Sequence, residues 1–198
     1  MKRTASRELT HAKLLETGLN LFNQQGYHGT GIKDVVTAAG LPKGSFYTYF
    51  ESKEAFGSEV AQFFSQTGAE RLKKAAAAPD KTPVEALTGF FQGNKNRLIT
   101  HNYEGGCLLG NLSNELGAVN KIIAPELVKG LEALAAGIAD LIQKGQDTGE
   151  IRRDLDAQTL GDTVLNAWEG ALIRAKTQEN PAPLDQFIKT YFQVLLKP

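Results

Sequence analysis

The apolar positions along this chain recur at helical spacing almost from end to end. Leu14, Leu15, Gly18, Leu21 and Phe22 fall at i, i+1, i+4, i+7 and i+8, the buried stripe of an amphipathic helix. Glycine at Gln25-Gly26 supplies the left-handed conformation that closes such a helix, so a loop is expected over Tyr27 to Gly29. Thr30 is then placed to cap a short second helix whose Ile32, Val35, Val36 and Ala39 lie at i, i+3, i+4 and i+7. Gly40 ends it, Leu41 plugs the core, and Pro42 opens a third short helix in which Phe46 and Phe50, four apart, face inward.

Longer helices follow. Ser52 is a plausible cap for a fourth, through Phe56, Val60, Phe63 and Phe64 toward Lys74, and the alanine run with Pro79 ends it. Pro83 opens a fifth, through Leu87, Phe90 and Phe91 to about Thr100, and Gly105-Gly106 break the chain before a sixth over Cys107 to Leu116. A seventh is expected from about Pro125 to Gln146, stopped by Asp147-Thr148-Gly149. Asp156 would cap an eighth with a wide apolar face from Leu160 through Trp168 to Ala175. Pro181 and Pro183 precede a ninth with Phe187, Ile188, Tyr191, Phe192 and Leu195. No segment alternates with period two and no internal repeat is evident, so the fold is expected to be all-α, about nine helices.

Composition changes this picture little: 41% hydrophobic and 22% charged residues are those of an ordered globular chain. There is no run of about 18 apolar residues and no apolar core in the polar N-terminus, which points to a cytoplasmic protein with no membrane association. A single cysteine excludes an internal disulfide. His11, His28 and His101 show no metal-ligand spacing, so neither a metal nor a cofactor is expected. Charge is more informative. The net charge is zero, yet residues 1–53 carry Lys2, Arg3, Arg7, Lys13, Lys33, Lys43 and Lys53 against Glu8, Glu16, Asp34 and Glu51, which makes the head +3 and the remainder −3. A basic head on an acidic body suits a DNA-reading domain, 1–53, attached to a helical ligand-binding and dimerisation domain, 54–198.

Three short helices with a tight glycine turn between the second and third are the parts of a helix-turn-helix, whose last helix enters the major groove. A reading helix must present small and hydrogen-bonding groups outward, and Lys43 to Phe50 does so while its two phenylalanines hold it to the core. Lys43 would reach a phosphate or guanine, Gly44 would allow close backbone approach, and Ser45 and Thr48 would touch base edges. Tyr47 and Tyr49 would donate to phosphates, and Lys53 would add a contact at the start of the fourth helix. Thr30 joins them at the start of the second. The plainer alternative is a small bundle with an aromatic core and solvated lysines.

The segments Gly26-Tyr27, Thr30-Gly31-Ile32, Ala38-Ala39-Gly40-Leu41, Lys43-Gly44-Ser45-Phe46-Tyr47, Tyr49-Phe50 and Ser52-Lys53-Glu54 resemble the TetR family signature in order and spacing. Gly31 replaces a commoner threonine or serine. The resemblance implies a homodimer built from the last two long helices. It also implies a pocket inside helices four to eight whose occupant alters the spacing of two DNA-binding heads on a palindromic operator. The run Gly106 to Ser113 further resembles a subgroup of such regulators, some of which respond to reactive carbonyl or unsaturated compounds through a cysteine.

Cys107 is thus a candidate sensor, since helix N-termini favour the thiolate, with the buried small hydrophobe as the alternative. Asn111 lies four residues on, on the same helix face, and Lys176 is a possible positive neighbour. Trp168 could line a pocket or simply fill the core. The expectation is a DNA-binding repressor released by a small-molecule inducer or electrophile. An architectural DNA-binding protein without a ligand is the alternative, and an enzyme is disfavoured because no phosphate loop, nucleophile elbow or His-Glu-x-x-His motif is present.

Overall fold

The computed structural model describes residues 2–198, with side chains from Arg7 onward, so the charges of Lys2 and Arg3 lie outside the described side chains. Every regular element among the described residues is helical. The α-helices are α1 (Lys2–Gly29), α2 (Ile32–Ala38), α3 (Lys53–Ala76), α4 (Pro83–Thr100), α5 (Leu108–Leu116), α6 (Ala124–Thr148), α7 (Ala157–Gln178) and α8 (Ala182–Thr190). A 3-10 segment, Lys43–Thr48, stands where the third helix was expected, and α8 runs on into a π turn, Tyr191–Leu195.

The chain forms two compact units: residues 1–65 with 108–130, and residues 66–107 with 131–198. The expected division after Lys53 does not coincide with these, because the first half of α3 and the whole of α5 belong to the unit that holds the helix-turn-helix.

In the first unit α1 begins at Lys2 rather than near Leu14. Gly26 breaks it as expected, at φ 74°, ψ 173°, and one further turn follows. Tyr27, expected in a loop, is buried against Phe22, ring centroids 5.4 Å apart. The cap of α2 is Gly31, not Thr30: the Asp34 carboxylate accepts the Gly31 N–H at 2.8 Å. Thr30 is only 1% exposed, and its hydroxyl donates to the Gly26 carbonyl at 2.7 Å. Asp34 thus makes one half of a capping box, reaching back to the Gly31 N–H, and glycine has no side chain to make the other half.

The core of this unit is aromatic. Phe46, Phe50 and Phe56 surround one another at centroid distances of 4.8 to 5.3 Å, and Phe22 meets Phe56 at 5.7 Å edge to face. Gly18 belongs to this packing, since a Cβ there would sit 2.2 Å from the Phe56 ring. Ser52 caps α3 by accepting the Ala55 N–H at 3.0 Å.

The second unit closes on its own aromatic cluster. Phe91 of α4 touches Trp168 of α7 at 5.0 Å and Phe187 of α8 at 5.2 Å, and Trp168 touches Phe187 at 5.3 Å. Thr82 and Glu85 form a reciprocal capping box on α4. Asp156 caps α7, accepting the Thr159 N–H at 2.9 Å. The buried Gln146 donates to the carbonyls of Arg152 and Leu155, both at 2.8 Å, and so fixes the turn between α6 and α7. At Gly161 a Cβ would meet the Ala135 carbonyl at 2.9 Å, so glycine lets α7 cross α6 closely.

Candidate nucleic-acid interface and sensor cluster

The 3-10 segment presents its outer face as the spacing requires. Phe46 is fully buried and Phe50 2% exposed, which anchors the segment from beneath. Lys43, Gly44, Tyr47 and Thr48 are exposed, with Tyr47 at 66%. An aromatic ring that open, on a segment pinned by two phenylalanines, has no packing reason to face water. Ser45 is half-buried, and its hydroxyl donates to the Pro42 carbonyl at 2.7 Å, which sets the start of the segment. Tyr49 is half-buried, with the Arg7 guanidinium 6.0 Å above its ring.

Two of the expected contact residues have other employment. Thr30 offers almost no surface. Lys53 donates to the Tyr27 carbonyl at 2.7 Å, and its ammonium lies 4.1 Å from the centre of the Tyr27 ring. Burial pulls its pKa down, against the opposing pull of Glu54, Glu115 and Asp34. Lys53 thus works first as a strut between α3 and the end of α1. The same turn is held from α5 by Glu115, whose carboxylate accepts the N–H groups of Tyr27 at 3.1 Å and His28 at 3.2 Å. Nothing in the local pattern marks Glu115 for this. Its partners lie 88 and 87 residues away in sequence.

In the second unit Cys107 immediately precedes α5 and is half-buried. Gly105 and Gly106 before it adopt φ of 87° and 98°, a left-handed pair that turns the chain toward α7. A Cβ on Gly106 would lie 3.6 Å from Cδ of Lys176. Glu169, two helical turns before Lys176, completes the group. Its carboxyl takes a hydrogen bond from the Cys107 thiol and feels the Lys176 charge, yet burial outweighs both and pushes its pKa up. Its Oε1 is buried with no hydrogen-bond partner among the described residues. Lys176 responds in kind, pulled down by burial and held up by Glu169 and Cys107. Thiol, carboxyl and ammonium thus share one partly dry site, where a nearby cation favours thiolate and a nearby carboxylate opposes it.

The structure therefore brings Cys107 and Lys176 together and adds Glu169, to which the sequence pattern assigns no role. Its signal was an acid seven residues before a lysine, hence on one helix face. Trp168 itself is 4% exposed and lies in the aromatic core. Asn111 is half-buried one turn into α5. Among the described residues, no group of three or more His, Cys, Asp or Glu could hold a metal, and no helix is long and apolar enough to cross a membrane.

An exposed reading segment on a helix-turn-helix, followed by a helical second unit, defines the class of one-chain DNA-binding regulators. Comparison with known proteins carries this further. The family model "Bacterial regulatory proteins, tetR family" matches residues 14–60, and "Tetracyclin repressor-like, C-terminal domain" matches residues 83–191. The HTH-type transcriptional repressor DhaR of Mycobacterium sp. (strain GP1) is 38% identical over 99% of this chain and 95% of its own length. A regulatory protein TetR from Rhodobacter sphaeroides superposes with a TM-score of 0.87 at 32% identity, covering 93% of this chain and 98% of that one. The reduced form of NemR from Escherichia coli superposes at 0.86 with 25% identity, covering 96% and 97%. The chain belongs to the TetR family and is a DNA-binding transcriptional regulator.

Proposed function

We propose that this regulator is a repressor that binds a palindromic operator as a homodimer and leaves it when a small molecule, or covalent modification of Cys107, favours a form whose two heads no longer match the half-sites. Residues 1–53 act as the DNA-binding domain and residues 54–198 as the ligand-binding and dimerisation domain. The observation that carries the reading is the outward face of Lys43–Thr48, held by Phe46 and Phe50 while Tyr47 stays 66% exposed. Lys43, Gly44, Ser45, Tyr47, Thr48 and Tyr49 are the contact residues. Thr30 and Lys53 support them from within.

Dimerisation through the last two helices is supported by apolar side chains left open there: Ile173 on α7 at 57%, and Val194 and Leu195 beyond α8 at 62% and 44%. Sensing through Cys107 is supported by Lys176, whose positive charge beside the thiol favours the nucleophilic thiolate. A repressor's part is supported by DhaR, a repressor by name and similar along almost the whole chain.

The test is fluorescence anisotropy of the purified protein on its own upstream intergenic DNA, with and without N-ethylmaleimide. Tight, salt-sensitive binding is expected, lost on treatment of the wild type and kept in Cys107→Ser. Wild-type binding that survives treatment would remove the cysteine from the signal path. Absence of specific binding at every salt concentration would remove this DNA as the operator and the repressor reading with it.

A further inference from the structure

Ahead of Leu14, α1 is held to the first unit through His11, which stacks on Phe50 at 5.0 Å and bonds the Glu59 carboxylate at 2.9 Å, and the polar residues around it are sorted. Arg7, Thr10, Lys13 and Thr17 follow one another at spacings of three, three and four, a single stripe along the helix, and in the sequence Arg3 and Ser6 continue the same register. The stripe holds only bases and hydroxyls. Of the acids of this stretch, Glu8 falls on another side and Glu16 lies at the stripe's edge, three residues beyond Lys13, while Leu14, Leu15 and Gly18 are buried.

The stripe also borders the reading segment. Arg7 donates to the Thr48 carbonyl at 3.4 Å and lies over the Tyr49 ring. The Lys13 ammonium is 4.0 Å from where a Cβ on Gly40 would stand, beside the turn that leads into the 3-10 segment, and both residues are exposed. Arg7 and Lys13, exposed at one helix edge next to the segment proposed to enter the major groove, have the chemistry to meet the phosphates that flank the groove.

We infer that the N-terminal half of α1 is a second DNA-contacting element, a rail on which Lys13 and Arg7 bind backbone phosphates of the operator duplex beside the bases read by Lys43–Thr48. The inference rests on the DNA-binding reading above. A phosphate contact releases a counterion and carries no base information, so its loss weakens every duplex alike and flattens the salt dependence by about one unit of slope per contact.

The experiment measures anisotropy over a salt series on the upstream intergenic DNA and on an unrelated duplex, for wild type, Lys13→Ala, Arg7→Ala with Lys13→Ala, Lys13→Arg and Glu16→Gln, each checked for an unchanged melting temperature. The salt slope is expected to fall by about one in Lys13→Ala and about two in the double variant, with equal fold losses on both duplexes. Lys13→Arg should restore it, and Glu16→Gln should keep it. Because Arg7 also touches Thr48 and Tyr49, Lys13→Ala carries the decision if the double variant is less stable. Wild-type binding with an unchanged slope in Lys13→Ala overturns the rail and leaves the regulator standing. A wild type that binds neither duplex overturns the reading beneath it, and the rail with it.

Discussion

The reading segment and the Cys107 cluster are assembled in opposite ways. Lys43–Thr48 is contiguous: its anchors, exposed groups and bounding turn lie within about ten residues, and each follows from local spacing. The cluster joins the loop before α5 to two residues on α7 more than sixty positions away, and it depends on burial that only tertiary packing creates. The first region is held by apolar contact and faces water with its chemistry. The second holds its chemistry partly out of water, so its groups tune one another. A contiguous site tolerates changes to its outer residues, whereas an assembled one shifts when any member changes.

The sharpest way to break the contiguous site is from beneath. Phe46→Ala empties the centre of the aromatic cluster and is expected to cost about 3–5 kcal/mol, with loss of DNA binding, as urea unfolding and anisotropy would show. A stability loss under about 1 kcal/mol would mean that the reading segment is not held by this core.

Gly26→Ala comes next. Its φ of 74° is strained for any side chain, and the new Cβ would stand 2.6 Å from the Glu115 carboxylate that holds the Tyr27 and His28 N–H groups. A loss of about 2 kcal/mol is expected. In the Glu115→Ala background the substitution should cost less, because the clash is gone while the strain remains. Additive losses in that double-mutant cycle would show that the carboxylate moves aside freely.

Tyr47→Phe separates reading from folding. The side chain is 66% exposed, so stability should stay within about 0.5 kcal/mol. Operator affinity should fall by about 1.5 kcal/mol if the hydroxyl donates to a phosphate. Equal affinity would move the phosphate contact to another residue of the segment.

Most of the fold could be read from the sequence because helix punctuation is local. Gly26, Ser52, Pro83 and Asp156 each mark a boundary with their own chemistry, and the structure uses all four. The start of α1 could not be read, since Leu9 is the only large apolar residue between Lys2 and Lys13, and the packing of His11 on Phe50 is a tertiary contact. Thr30 was misplaced because two adjacent residues competed for one cap, and Asp34 decided the matter by bonding the Gly31 N–H. The bond from Lys53 to the Tyr27 carbonyl could not be read either, because its partner lies 26 residues away and leaves no mark at position 53. Glu169 was overlooked for the same reason. An acid on an amphipathic helix looks solvated until the burial around it is known.

Glu169→Gln has the smallest expected effect and bears most directly on how the assembled site differs. Burial raises the Glu169 pKa in the folded protein, so the folded state keeps a proton that the unfolded chain has already released. The stabilisation from that proton is complete below the ordinary carboxylate range and is lost as pH rises through the folded-state pKa. At neutral pH the wild type therefore carries the cost of a reluctant carboxylate, and glutamine, which keeps an acceptor for the Cys107 thiol, does not. Glu169→Gln should melt higher than wild type at pH 7 to 8, and the gap should close as the pH is lowered past about 4. A gap independent of pH would mean that Glu169 is fully ionised against Lys176 in the folded protein. The cluster would then be a settled ion pair with a thiol beside it, not a site whose proton balance remains open to change.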